Sequence, residues 1–314
     1  MPRDVYNNPM EEQFYGTYPP DEPEGEASEQ EAIPCRIQGL LATAAPRAVL
    51  LRRGPTKWVQ MILWHTDSDT FEEGQWFHGR IYESHSDLSP DGTLLLYLAR
   101  KDKTPARERS SYTWKWTAIS HPPYLTALAL WPVGEEWDGG GIFLDNRSIW
   151  LCHQSARAHP DHRPQGLKIQ ATFEPPRFTE RSKRDGWEQA QPGRFSWAKD
   201  PTQLLGRRAV TDQPAIWRKP SPDGRFHLMI ERYREPDFSW ARLVYLLDTA
   251  TNRQIALDQT TWEEWDQQGR LVFARDGKLW SGEVSDGLLT PRLIADFNAN
   301  KPTGILPPAW AKRW

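Results

Sequence analysis

Ser89-Pro90-Asp91-Gly92 recurs as Ser221-Pro222-Asp223-Gly224, 132 residues further along, and each copy leads into an apolar run. Since 132 is three times 44, and 44 is close to the length of one four-stranded propeller blade, the spacing predicts an all-β single propeller. Steps of 44 residues from Ser89 land on strand-like sequence in most places. One step back, Ala45-Pro46-Arg47 precedes Ala48-Val49-Leu50-Leu51; one step forward, Trp131-Pro132-Val133-Gly134 has its apolar run delayed to Ile142-Phe143-Leu144. Near Trp265, Asp266-Gln267-Gln268-Gly269-Arg270 opens onto Leu271-Val272-Phe273. The landing near Arg177 fails, so that module is either degenerate or replaced by an insertion.

Within each module a second strand follows at hairpin distance. Leu271–Arg275 meets Lys278–Val284 across Asp276-Gly277, a pair that tolerates positive φ. Asp145-Asn146 separates Ile142–Leu144 from Ser148–Cys152 in the same way. Longer connections are expected to join Leu94–Leu98 to Tyr112–Trp116 and Phe226–Ile230 to Leu243–Leu247, with outer strands at Arg253–Leu257 and Leu293–Phe297. From Arg36 to the end there are 279 residues, room for about six four-stranded blades, with five or seven as the neighbouring counts.

A Ser-Pro-Asp-Gly turn, an apolar strand, and then a strand carrying an Ile-Trp or Leu-Trp pair resembles the PD40 repeat of TolB-like, WD40-like propellers. The same repeat forms the propeller domain of prolyl-oligopeptidase-type enzymes. The copies at Ser89 and Ser221 match the turn fully, and those near Ala45, Trp131 and Trp265 match in part. The resemblance implies a fold and little about activity, because propellers host many functions.

Seventeen Trp in 314 residues suit stacked sheets, where each indole buries about 200 Å². Most are expected in blade packing, the rest on a binding face. Residues 1–33 differ in kind, with nine acidic side chains against one basic. This tract has no apolar period and reads as a disordered tail, which leaves residues 34–314, the propeller, with a charge of +5 out of the total of −3. Tyr6, Phe14, Tyr15 and Tyr18 give the tail the makings of a short partner-binding motif. Met1-Pro2-Arg3-Asp4 opens no apolar stretch and no run reaches a membrane span, so the expectation is a cytoplasmic protein with no membrane partner. Cys35 and Cys152 make no disulfide framework and read as free thiols.

Chemistry is sparse. There is no Gly-x-Ser-x-Gly elbow, phosphate loop, paired Cys-x-x-Cys or His-Glu-x-x-His, so no enzyme activity and no cofactor are expected. The weak metal candidate is Cys152, His159 and His162; His153, next to Cys152 in a strand, should point the other way. Glu135-Glu136-Trp137 and Glu263-Glu264-Trp265 place carboxylates beside indoles, the equipment of a sugar-processing cleft. Repeat-equivalent residues, however, tend to share a structural job.

The stretch from Gln154 to Pro220 holds 13 Lys or Arg against 7 Asp or Glu, with many Pro. Its part at about 154–215 reads as a basic, loop-rich surface insertion, with Arg181, Lys183, Arg184, Trp187 and Trp197 as the candidate binding residues. A loop on a rigid scaffold suits recognition. The leading expectation is a non-catalytic interaction or scaffold subunit that binds a protein partner, in the manner of an accessory component of a bacterial regulatory or defence assembly. The alternatives are a carbohydrate-active or sugar-binding propeller, and a nucleic-acid contact through the basic insertion. Charge reversal of Arg181, Lys183 and Arg184 is expected to leave stability unchanged if all three are exposed.

Overall fold

The computed structural model describes residues 33–102, 104–105, 109–133, 139–172, 178–199, 207–234 and 240–314. The acidic tail expected to be disordered lies outside them. Residues Pro34–Trp314 form one compact unit.

That unit is a five-bladed propeller. The first blade is β1 (Arg36–Leu41), β2 (Arg47–Arg53), β3 (Trp58–His65) and β4 (Thr70–His78), paired in that order. The second is β5 (Arg80–Leu88), β6 (Leu95–Arg100), β7 (Lys115–Ser120) and β8 (Ala129–Pro132). The third has three strands: β9 (Gly141–Asp145) and β10 (Ser148–Cys152) are antiparallel, but β11 (Lys168–Thr172) lies parallel to β10. The fourth has five, β12 (Glu188–Gln191), β15 (Ala215–Pro220), β16 (Phe226–Arg234), β17 (Trp240–Asp248) and β18 (Gln254–Ala256). Between its first two strands comes a separate ribbon, β13 (Arg194–Lys199) with β14 (Arg207–Gln213). The last blade is β19 (Trp262–Trp265), β20 (Leu271–Arg275), β21 (Lys278–Ser285) and β22 (Leu288–Asp296).

The apolar runs of β2, β6 and β20 are second strands buried on both faces. In β2, Val49 and Leu51 join the cluster shared with the second blade, whereas Ala48 and Leu50 join the cluster shared with the fifth. In β20, Leu271 and Phe273 face the fourth blade and Val272 and Ala274 face the first. Period-two geometry sends alternate residues to opposite neighbours, so a strand between two blades must be apolar throughout. Where two blades approach closest, Gly39 is required: a Cβ there would stand 2.4 Å from Trp262 Cζ2.

The blade count is five, the lower neighbour of the expected six. The 132 residues between the two Ser-Pro-Asp-Gly copies hold two blade steps, from β5 to β9 and from β9 to β15, instead of three. Each step is stretched beyond 44 residues, one by the long β6–β7 connection and the other by the segment after β10. The landmarks at Ala45, Ser89 and Trp265 mark turns between the first and second strands of a blade, that at Ser221 lies between β15 and β16, and Trp131 sits in a last strand, so none of them is a blade boundary. The expected strand at Tyr112–Trp116 starts only at Lys115, because Thr113 turns the chain at a φ of 54°.

The recurring turn is built by its own side chains. Ser89 Oγ donates to Asp91 Oδ1 at 2.6 Å and accepts from the amides of Thr93 and Leu94 at 3.1 and 2.9 Å. Gly92 takes a φ of 70°. Ser221 repeats this, donating to Asp223 at 2.5 Å and accepting from Phe226 N at 3.0 Å. In the fifth blade Asp266 does both jobs, accepting from Gln268 N and Arg270 N at 2.9 Å each. Asp276-Gly277 closes its hairpin with φ of 53° and 71°, as the sequence predicts.

Among the described residues no strand is exchanged between the first and last blades. Side chains close the ring instead: Arg270 reaches Asp69 at 2.8 and 3.0 Å, Gln267 reaches Ala42 O at 2.7 Å, and Thr261 Oγ1 reaches Ile37 O at 2.8 Å. The C-terminal segment then straps the first two blades. Gln75 donates to Ile305 O, Trp310 lies between His121 and Tyr124, and Trp314 packs into the cluster of the second and third blades. Cys35 and Cys152 are both buried. No helix among the described residues is long and apolar enough to cross a membrane.

Three outcomes are expected. Ser89→Ala should cost about 1–3 kcal/mol in denaturant unfolding, because it takes the hydroxyl acceptor from the buried amide of Leu94. Burial raises the pKa of Asp91, but the bonds from Ser89 and Thr93 outweigh it and hold the carboxyl below its ordinary value. Its contribution is therefore complete above the unfolded value near 3.8 and is lost as pH falls toward the folded one. Asp91→Asn should flatten the acid limb of stability measured between about pH 5 and pH 2. Trp314→Ala should lower stability by about 1–3 kcal/mol, less than a fully buried indole would cost; an unchanged melting temperature would mean the strap rides on the ring without holding it.

Candidate functional site

A cavity of about 660 Å³ lies where β1, β5 and β19 converge, and the segment sequence analysis places on the surface supplies part of its wall. The failed landing near Arg177 is occupied by helix α1 (Phe178–Arg184). Seven residues are too few to be helical on their own merits, so anchoring has to come from outside. Its C-terminal turn is closed by Gly186, at a φ of 86°, with Trp187 N donating to Ser182 O at 2.8 Å. Arg181 and Arg184, three residues apart, share one helix face.

Each arginine has a prepared receptor on β5. That strand slips register between Tyr82 and Asp87, and the bulge turns carbonyls out of the ladder. Arg181 donates to Glu83 O at 3.3 Å and to Ser86 O. Arg184 takes Asp87 in a two-point grip, at 2.6 and 2.9 Å, and also donates to Phe143 O at 2.8 Å. The Asp87 carboxylate is 3% exposed and accepts in addition from Phe143 N at 2.7 Å. Burial works against the Arg184 charge, yet Asp87 and then Asp185 hold its proton well above the ordinary arginine value. Asp185 pairs with Arg184 at 2.8 Å, and burial keeps its carboxyl above the usual range.

The candidate residues therefore divide. Arg181, Arg184 and Trp187 turn into the cavity, and Trp187 Nε1 donates to Glu264 Oε2 at 3.1 Å. Lys183 alone of the three cations points away, 60% exposed and 3.3 Å from Glu180. The expectation that all three cations are exposed thus fails for Arg181 and Arg184, whose partners are a bulged strand and a buried carboxylate. Trp197 lies on β13, paired with Ala209, with its side chain outside the described residues.

The carboxylate pairs are also resolved. Glu135-Glu136-Trp137 falls outside the described residues. Glu263 is gripped by Arg242 at 2.8 and 2.9 Å and accepts from Thr260 Oγ1 at 2.9 Å. Glu264 meets Lys219 at 2.8 Å as well as Trp187. As strand neighbours the two carboxylates leave β19 on opposite faces, so they do not flank one bond as a glycosidase pair must.

The metal candidates separate too. His159 and His162 lie with ring centroids 5.9 Å apart and stack around Tyr112, but His159 Nε2 meets Ser111 Oγ at 2.9 Å and His162 Nδ1 meets Ala127 O at 3.0 Å. Cys152 is buried at the end of β10, where its amide donates to Gly140 O. Among the described residues no three His, Cys, Asp or Glu are grouped to hold an ion. Cys152 and His153 do not diverge into core and solvent, since both are buried. Thr117 Oγ1 accepts from Gly140 N and lies 2.8 Å from His153 Nε2. Burial, then nearby Lys115, takes the His153 pKa down to about 4, so the ring is neutral.

Sequence reasoning missed Asp87, Lys219, Arg232 and Arg242 as wall residues. Asp87 carries a usable signal, a charge on an inner strand two residues before the conserved-type turn at Ser89. The arginines carry none, because only the β16–β17 register places them directly opposite each other.

No protein-family model and no curated protein matches this chain. Among solved structures, a chain of the "Crystal Structure of Mitotic Checkpoint Complex" is similar at 12% identity and a TM-score of 0.31, over 88% of this chain and 87% of that one. The five-blade assignment accordingly rests on strand pairing within this chain.

Proposed function

We propose that this protein is a non-catalytic interaction subunit, a propeller that holds a protein partner through the ribbon β13–β14. One observation carries this reading: the ribbon is the one sheet among the described residues that belongs to no blade. A two-stranded ribbon is marginal in isolation, and its outer edges offer main-chain groups to which a partner strand can add. Its foot is firm. Gln191 pairs with Ile216, Gln191 Nε2 donates to Pro214 O, and Gln213 Nε2 donates to Pro192 O. On the other side of β12, the Arg184–Asp87 grip fixes α1 to the ring. Recognition is favoured by such a combination of anchored root and independent tip.

The root and the tip should respond differently to mutation. Arg184→Glu sets a second carboxylate against Asp87 and should cost about 3–5 kcal/mol in denaturant unfolding, the usual cost of breaking a buried pair. Lys183→Glu should stay within about 0.5 kcal/mol of wild type.

The ribbon itself is tested by replacing residues 194–213 with a short Gly-Ser turn, which the adjacency of Gln191 and Ile216 makes feasible. The melting temperature should be nearly unchanged, whereas a partner purified with the wild-type protein from its own host should be lost. Retention of that partner at wild-type affinity would sink the reading. A wild-type affinity that falls steeply with salt would assign the ribbon to nucleic acid instead.

A further inference from the structure

At the end of the first two blades away from the β1–β2 and β5–β6 turns, arginines gather in opposed pairs. Arg36, the first residue of β1, stands directly across from Arg53, the last of β2, and Arg80, the first of β5, stands across from Arg100, the last of β6. Like charges at opposed positions destabilise a ladder, so two such pairs on neighbouring blades ask for a reason beyond folding. Lys57 belongs to the same end, since its carbonyl accepts from Gly79 N, one residue before Arg80, at 2.9 Å. Among the described residues the carboxylates at this end of the two blades are Glu83 and Asp102, and Asp102 lies 3.9 Å from Lys57. Burial weakens the hold of Arg53 on its proton; Glu83 opposes this, and Arg80 and Arg36 add to it, so the cations of the two blades sense one another. Rings alternate with these charges. Arg80 lies over Tyr82 at 4.6 Å, Arg100 over Trp114 at 4.8 Å and Lys101 over Phe77 at 5.4 Å, and all three rings are half-buried. The exposed ring of His78 stands 4.9 Å from that of Trp58.

We propose that this end of the first and second blades binds single-stranded nucleic acid, with Arg36, Arg53, Lys57 and Arg80 along the phosphates and His78 with Trp58 against a base. A row of cations attracts any polyanion, and the rings decide which one fits. An acidic peptide has no flat face to set on a ring, whereas every base has one, and cations interleaved with aromatics are the make-up of surfaces that hold single strands without regard to sequence. A duplex keeps its base faces within its own stack; a single strand can lay them on the protein. The β6–β7 connection that breaks the repeat spacing gains a use here, because it carries both Lys101 and Trp114 to this surface, where Lys101 N donates to Trp114 O at 2.9 Å. None of the residues named for contact lines the central cavity or belongs to the ribbon. The inference is therefore independent of the reading given to the ribbon.

The test follows the fluorescence anisotropy of a labelled oligothymidylate of about 20 nucleotides, long enough for one such surface, with the full chain. Affinity should fall between about 50 and 200 mM salt with a log–log slope of about −3, the value for four phosphate contacts on a single strand. The double variant Arg36→Gln, Arg80→Gln should bind about tenfold more weakly or worse at the lower salt, with a slope shallower by about 1.4. Both positions are exposed, and each variant loses an opposed like charge, so the melting temperature should stay at or slightly above that of wild type. His78→Ala should weaken the oligothymidylate about fivefold or more and leave an abasic strand of equal length unaffected. Polyglutamate of equal charge should bind more weakly than either strand. The proposal is overturned if the wild-type protein at micromolar concentration does not bind the oligothymidylate at the lower salt, or if the double variant or His78→Ala binds it as wild type does. It is equally overturned if polyglutamate or a duplex binds at least as tightly, and polyglutamate would then mark a surface for an acidic protein. Replacement of the ribbon should leave the oligothymidylate bound, which keeps this result distinct from that of partner capture; loss of binding on that replacement would overturn the assignment to this end of the ring.

Discussion

Burial of the second strands β2, β6 and β20 on both faces is the constraint on which the ring depends. A strand that is apolar on one side can pair with a layer and stop; one that is apolar on both sides needs a neighbour at each hand, and that demand propagates until the circle closes. β2, β6 and β20 each feed two clusters in this way. Four of the five junctions are satisfied by such clusters among the described residues. The remaining one, between the third and fourth blades, is spanned by α1, and there the fastening is ionic. Arg184 ties Asp87 of the second blade and Phe143 O of the third to the chain entering the fourth. Unlike an apolar junction, this one is directional and fails sharply when either partner is removed.

The difference in chemistry explains what could be read from the sequence. Ser-Pro-Asp-Gly is legible because the side chains that shape the turn act locally: its serine hydroxyl and aspartate carboxylate bond within six residues, so the motif is written in one place. Apolar runs such as Ala48–Leu51 are legible for the related reason that two-sided burial leaves no polar alternation to interrupt them. Blade count is not written locally. It depends on how much chain is spent between turns, and the β6–β7 connection and the segment following β10 each break the period without altering the blades they join. The parallel β11 is equally hidden, since parallel and antiparallel partners ask the same of a five-residue strand.

The candidate site was legible in composition and illegible in direction. A surplus of Arg and Lys around positions 181–184 is visible, and surface exposure is its ordinary meaning. Direction is decided by long-range partners, a bulge in β5 and a buried carboxylate, separated from the helix by nearly a hundred residues. Lys183, with no receptor prepared for it, behaves as composition suggests, while its neighbours do not. Similarly, Glu263-Glu264 reads as a paired acid motif until strand geometry sends the two side chains apart and supplies each with a cation.

A propeller ordinarily leaves its axis to solvent and places recognition on its loops. Here an excursion from one blade turns back to the axis, so a single segment has two ends with different physical duties. Its α1 end is bound by charge in a low-dielectric setting, where geometry is enforced because a misplaced guanidinium would leave Asp87 buried and unpaired. Its ribbon end is joined to the ring through β12 and β15 and by hydrogen bonds at the foot, where less is lost if the strands shift. Rigidity at the axis and tolerance at the tip are thus consequences of one insertion.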